Sequence, residues 1–238
     1  MDDRRQEIES ADAGGWKEVF FDPCDADWRE RWALDGRVGT ARNGPEGMEL
    51  TAGPEFRNSD HHVVLWTRAS FSGDVRIEFE YTRLDSATRC VNILYVQATG
   101  SGQGPYARDV GEWAALRATP AMELYYNHMH AYHISFAAYP DDYIRARRCM
   151  PEANGLDGTD LSPDASGAGF FKSGAPHRLT AIKRGDDLFL RVRNEGAELH
   201  HHWRNDKLPP IAEGRIGLRH MFTRSARYRD FRIAVREG

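Results

Sequence analysis

Histidine supplies the first chemical signal. The stretch "HMHAYHISF" (128–136) places His128, His130 and His133 within six positions. Imidazoles at such spacing serve metal binding or proton transfer. On an extended strand, side chains alternate between faces, so His128 and His130 share one parity and His133 takes the other. One ion held by all three would need a bulge, and the chain has no H-E-x-x-H companion motif. We therefore expect His133 and Ser135 to face a ligand groove, with His128 and His130 at its rim. Tyr132, Ile134 and Phe136 then form the core face. No cofactor is called for, and a metal on His128 and His130 stays open.

Carboxylates and arginines provide the next candidates. In "DVRIEFEYTRL" (74–84), Glu78 and Glu80 share the polar face of an amphipathic strand. A pair of acids can divide the acid and the base or nucleophile roles of glycoside hydrolysis. Arg145 and Arg147, just after the His133 strand, alternate onto one face and could hold a uronate carboxylate bidentately. With them, His133 as base and Tyr139 as acid would supply the parts of a β-elimination. "HHVVLW" (61–66) adds His62 and a ring, Trp66, on which a sugar could stack. "HHH" at 200–202 reads as a solvated hairpin.

The elements that must position these groups are strands. Period-two alternation runs through most of the chain, clearest in residues 74–84, where Val75, Ile77, Phe79 and Tyr81 form the apolar face. "HHVVLWT" and "RCVNILYVQA" are apolar enough to be interior strands covered on both faces. Two long connections interrupt the pattern, 99–120 and 150–170, the first with a short helix expected around Glu112 to Arg117. Loops of that length serve a site or move. A dozen or so short strands without a linker predict an all-β, two-sheet antiparallel β-sandwich of jelly-roll type over residues 16–238, after a flexible lead at 1–15.

The 238 residues carry a formal net charge of −4, which gives no electrostatic reason to bind nucleic acid or an anionic membrane. No apolar run is long enough to span a bilayer, and the charged opening "MDDRRQEIESADAGG" has no apolar segment of a signal peptide. Three scattered cysteines make neither a zinc framework nor a disulfide scaffold. A cytoplasmic protein with reduced thiols is expected.

Taken together, "HHVVLW", "FSGDVRIEFEY", "RCVNILYVQATG", "AYHISF" and the closing "GRIGLRHM…ARYRDFRI" resemble the YesU-like family of unknown function, over about residues 17–235. That resemblance implies a concanavalin A-like lectin/glucanase sandwich and a link to bacterial use of plant cell-wall polysaccharides. It brings no catalytic residues. The glucanase relatives use an E-x-D-x-x-E strand, whereas "EFEYTR" supplies two acids and lacks the third. The expected function is a carbohydrate-active protein, hydrolase or lyase, acting on uronic-acid-containing oligosaccharides of plant or bacterial origin. His133, Glu80 and Tyr139 would be catalytic; His62, Trp66, Glu78, His130, Ser135, Arg145 and Arg147 would bind substrate. A non-catalytic saccharide-binding module of the same fold is the alternative, and homodimerisation stays open.

Overall fold

The structure is a computed structural model that describes residues 3–167 and 169–236. A helix, α1 (Asp3–Asp12), precedes β1 (Trp16–Asp22), β2 (Trp32–Asp35), β3 (Thr40–Gly44), β4 (Gly47–Thr51) and β5 (Val63–Ser72). There follow β6 (Val75–Arg83), β7 (Cys90–Gly100), a 3-10 segment (Val110–Arg117) and α2 (Met122–His128). The chain continues with β8 (Met129–Tyr139), β9 (Tyr143–Cys149), β10 (Asp160–Ser166), β11 (Pro176–Arg184) and β12 (Asp187–Arg193). It closes with β13 (Glu198–Arg204), β14 (Glu213–His220) and β15 (Ser225–Arg236).

These strands form two antiparallel sheets. The eight-stranded sheet runs β13-β12-β11-β6-β15-β4-β3, with β1 also paired to β15; the seven-stranded sheet runs β10-β9-β8-β7-β14-β5-β2. The two-sheet sandwich expected from the alternation is the observed architecture. In β6 the pattern translates directly: Val75, Ile77, Phe79 and Tyr81 are buried, while Arg76, Glu78, Glu80 and Thr82 are half-exposed. Each fully buried aliphatic or aromatic side chain contributes about 1.5–3 kcal/mol. Edge-to-face packing of Trp32 on Phe231, centred 4.9 Å apart, joins the sheets, and Phe79 stacks on Phe231 within the eight-stranded sheet at 5.1 Å.

The seven-stranded sheet is covered on both faces. A second apolar cluster on its outer side contains Val64, Trp66, Ile93 and Tyr95 from the sheet, and Val110, Trp113 and Tyr125 from residues 110–125. This is why β5 and β7 read as near-continuous apolar runs. Gly217 lies opposite Trp66 in the β14/β5 register, and a Cβ there would stand 2.5 Å from the indole. Gly100 plays the same part for the cover, since a Cβ would stand 2.0 Å from the Ala107 carbonyl oxygen. Among the described residues, no helix is long and apolar enough to cross a membrane.

Two expectations are corrected. Within the lead at 1–15, residues 3–12 are helical instead of flexible, because Ile8 and Ala11 bury against Ile182 and Phe189. Asp12 locks that helix to the sheet by accepting from Arg76 and Arg191. The 200–202 histidines lie on strand β13, as their place in the run of strands predicts, but they are not solvated. His200 and His201 are buried, and His202 stacks on Phe189 while contacting Glu7 and Asp187.

Truncating Ile8 tests the docking of α1. Ile8→Ala is expected to cost about 2 kcal/mol in denaturant unfolding, with lost amide protection over residues 3–12. Unchanged stability and protection would show that the helix is not held by this contact.

Candidate functional site

The outer face of the seven-stranded sheet carries the groups that sequence spacing singled out, in cross-strand rows. Register places Arg147, His133, Tyr95, Gly217 and Trp66 side by side, and Arg145, Ser135, Ile93, Arg219 and Val64 in the next row. His133 thus turns away from Tyr132, Ile134 and Phe136, which lie in the core between the sheets. The face it enters, however, is not an open groove. Residues 101–128 fold across it, leaving His133 and Ser135 each only 4% exposed.

The cover is pinned by one carboxylate. Asp35, at the end of β2 and 3% exposed, accepts through Oδ2 from Trp66 Nε1 at 2.7 Å, Arg117 Nε at 2.5 Å and Tyr125 OH at 3.0 Å. It therefore joins β5, the 3-10 segment and α2. Arg117 also donates to the Val110 carbonyl and lies over the Trp113 ring, 4.2 Å from its centroid. Trp66, Tyr95 and Tyr125 stack with centroids 5.3–6.4 Å apart. Beside them Arg219, fully buried, donates to the Pro120 carbonyl and to His62 Nδ1, and sits 4.5 Å from the Tyr125 centroid.

Burial sets the protonation of this cluster. His62 is pushed down to about 3 by burial, with the Arg219 charge adding to the effect. His133 is likewise pushed down to about 3, first by burial and then by Arg147, Arg219 and Arg145. Tyr95 is pushed up to about 12 by burial. A histidine so far below neutrality is a poor acceptor of a substrate proton. His133 Nε2 is hydrogen-bonded to Ser135 Oγ at 2.8 Å, and Cys149 Sγ lies 3.8 Å from Nδ1. The expected general base is thus a neutral histidine enclosed between β8 and β9.

The other expected residues are dispersed. Glu78 and Glu80 occupy the outer face of the opposite sheet, so they do not meet His133. Sheets in a sandwich stand about 10 Å apart with the core between them. Burial raises the Glu78 pKa, but Arg178 and Arg76 more than offset this and hold the carboxyl below its ordinary value. Glu80 lies 3.9 Å from Arg229. Tyr139 lies six residues along β8 from His133, about 20 Å at strand rise. Its hydroxyl donates to the Phe171 carbonyl, and Arg83 and Arg224 flank its ring.

Arg145 is engaged by Asp164, and Arg147 by Asp160 and the Leu156 carbonyl. Buried Trp66 and His62 offer no open surface. The expected catalytic trio is therefore not brought together, because strand parity was known but the sheet assignment and the cover were not. Nor do the histidines of the opening motif converge: among the described residues, no three His, Cys, Asp or Glu side chains form a metal-ligating group.

Beside the covered face lies an open cleft of about 680 Å³. The 101–106 turn forms one wall, the end of α2 its floor, and residues 151–154 the other wall. The two walls belong to the two long connections visible in the sequence. Hydrogen bonds from Ser101 N to the His128 carbonyl and from Gly102 N to the Tyr106 carbonyl shape the first wall. Tyr106 and His128 stack, their rings 3.7 Å apart and 8° from parallel. Asn127 lines the cleft with its Oδ1 buried and without a hydrogen-bond partner, and Glu152 is exposed and stands 4.0 Å from His130 Nε2. An aromatic surface with amide, hydroxyl and carboxylate groups suits a polyhydroxylated ligand, whose C–H faces stack and whose hydroxyls pair.

The fold is an all-β, two-sheet sandwich of galectin-like, concanavalin A-like type. Among solved structures, the chain is similar to a protein of unknown function with a galectin-like fold from Bacillus subtilis, with a TM-score of 0.67 and 20% identity, covering 93% of this chain and 100% of that one. It is also similar to the exoplasmic/lumenal domain of VIP36 bound to Ca2+ and Man3GlcNAc, with a TM-score of 0.58, 12% identity and coverage of 92% and 90%. The lectin UEA-II in complex with galactose is a further neighbour, with a TM-score of 0.57, 7% identity and coverage of 92% and 100%. No family model and no curated protein matches the chain.

Two outcomes follow for stability. Asp35→Asn leaves Arg117 without its buried counter-charge and is expected to cost about 3–5 kcal/mol in chemical denaturation. A loss below 1 kcal/mol would show that the carboxylate does not pin the cover. His62, His133 and His220 all have folded values near 3, far below the unfolded value of about 6.5. The unfolded chain takes up protons that the folded chain refuses, so their contribution is complete above about pH 6.5 and is lost as pH falls toward 3. The slope should approach about 1.4 kcal/mol per pH unit for each histidine. Denaturation of His133→Gln across this window should show a slope smaller by one histidine's share; an identical slope would contradict a neutral His133.

Proposed function

We propose that this protein is a saccharide-binding module that holds an oligosaccharide without cleaving it, in the cleft between residues 101–106 and 151–154. The observation that carries this reading is the open cleft in which the half-exposed, stacked rings of Tyr106 and His128 are bordered by Asn127 and Glu152, beside the outer face of the seven-stranded sheet. The Tyr106–His128 stack would meet sugar C–H groups, while Asn127 and Glu152 would pair with hydroxyls. VIP36 and UEA-II, whose structures hold mannose-containing and galactose ligands, support a sugar as the ligand class. Plant- or bacterial-derived oligosaccharides containing uronic acid are the class proposed here, together with membership of the YesU-like family on the motifs given above.

The binding reading is preferred to hydrolysis or elimination because the candidate acids and bases are separated and occupied. Glu78 is held by two arginines on the far sheet, and His133 is enclosed on the near one.

Titration with a panel of neutral and uronic-acid oligosaccharides should give saturable binding. Tyr106→Ala and Asn127→Ala should each weaken it about tenfold, a difference of ~1.4 kcal/mol. Binding that both variants leave intact would place the ligand elsewhere. Incubated oligosaccharides should gain neither new reducing ends nor ultraviolet absorbance from an unsaturated uronide. Either product, lost on substitution in this protein, would make it an enzyme.

A further inference from the structure

Beneath the cover, positive charge exceeds negative. Arg117 and Arg219 are 1% and 0% exposed, and Asp35 is the buried carboxylate between them. In register, Asp35 and Arg219 flank Val64 from opposite sides. Asp35 is committed to Arg117, Trp66 and Tyr125. Among the described residues, no carboxylate pairs with Arg219, whereas the equally buried Arg224 has Asp85. Isolated buried charge is costly enough that proteins pair it or do without it.

The unused hydrogen-bonding capacity lies in the same place. Arg219 Nε and Nη1, Arg117 Nη1 and His62 Nε2 lack partners, and the Tyr95 hydroxyl has none beyond its interaction with Arg219. His62 Nδ1 stands 2.7 Å from Arg219 Nη2 and 3.2 Å from the Pro120 carbonyl oxygen, and the tautomer that accepts from Arg219 carries its proton on Nε2. Arg219 donates to His62 and interacts with Tyr95, and its charge also acts on His133. Nearby, a cleft of about 350 Å³ against the 3-10 segment is lined by Asp35, Trp66, Arg117, Glu112 and the Asp109–Arg215 pair; it touches the cluster at Arg117 and does not include Arg219.

We propose that Arg219, with Arg117, Tyr95 and His62, forms a receptor for one carboxylate group of a small organic acid, admitted when the 3-10 segment lifts. The charge excess is a single unit, which a monovalent carboxylate neutralises and a phosphate dianion would overshoot. A planar two-oxygen acceptor also matches the guanidinium fork. The 3-10 segment is suited to opening: it runs over eight residues with a kink at Trp113, and 3-10 hydrogen bonds are poorer than α-helical ones. This inference is independent of the saccharide cleft, because the ligand needs a carboxylate and no hydroxyls.

The test is calorimetric titration of the intact protein with acetate, galacturonate and glucuronate, beside galactose, glucose and inorganic phosphate. Saturable binding of the carboxylates, absent for the neutral sugars at this site and weaker for phosphate, is the expected result. Arg219→Met should abolish it, and Arg219→Lys should weaken it on the order of tenfold by removing the fork. Hydrogen exchange over residues 110–125 should slow when a carboxylate is present. Absence of saturable carboxylate binding to the unaltered protein overturns the proposal, whether or not the variants fold. Preference for phosphate, or carboxylate binding that a folded Arg219→Met retains, also overturns it. A neutral saccharide that binds through Tyr106 in the same experiments leaves the cleft reading standing on its own.

Discussion

The buried carboxylate of Asp35 is the contact around which one whole side of this sandwich is organised. Three donors from three separate stretches of chain meet on one of its oxygens: an indole from β5, a guanidinium from the 3-10 segment and a phenol from α2. Each would be costly to bury unpaired. Together they convert what would be an exposed sheet face into a second apolar cluster. Stacking of Trp66, Tyr95 and Tyr125 then extends this arrangement toward His133.

That arrangement divides the polar chemistry of the molecule in two. Under the cover, burial and neighbouring guanidinium groups keep His62 and His133 neutral, and Arg219 is stabilised by a carbonyl, an imidazole and a ring face. At its edge, the same segment that seals the sheet turns outward at Tyr106 and His128 to form a wall of the open cleft. One connection thus closes the expected groove and builds its replacement. The opposite sheet takes no part: its outer acids are occupied by arginines from β6, β11 and β15, and its far edge carries α1.

Much of the fold was legible because strand periodicity is a local property. Val75 to Arg83 alternate in sequence and in space, and the apolar runs of β5 and β7 announced two-sided burial. That second signal also bore on the site, since a doubly covered β7 next to β8 leaves little room for an open groove at His133. Of the central residues of the buried cluster, Asp35 and Arg117 carried no motif, and Arg219 stood within "GRIGLRHM" without being singled out. Their only trace was a charged side chain within otherwise apolar surroundings, as in "WAALR" and "IGLRHM".

By itself, then, the sequence determined strands, their faces, the two-sheet sandwich and the two long connections, because alternation and turn residues act over a few positions. It also set His133 on the side of β8 away from the core. Only the tertiary structure decided that Glu78 and Glu80 lie on the other sheet and that residues 3–12 form a docked helix. It alone laid residues 101–128 across the expected groove. Those outcomes depend on pairings between residues tens of positions apart, such as Asp35 with Arg117 and Trp66. No local pattern encodes them, since each pairing becomes favourable only when both partners leave water together.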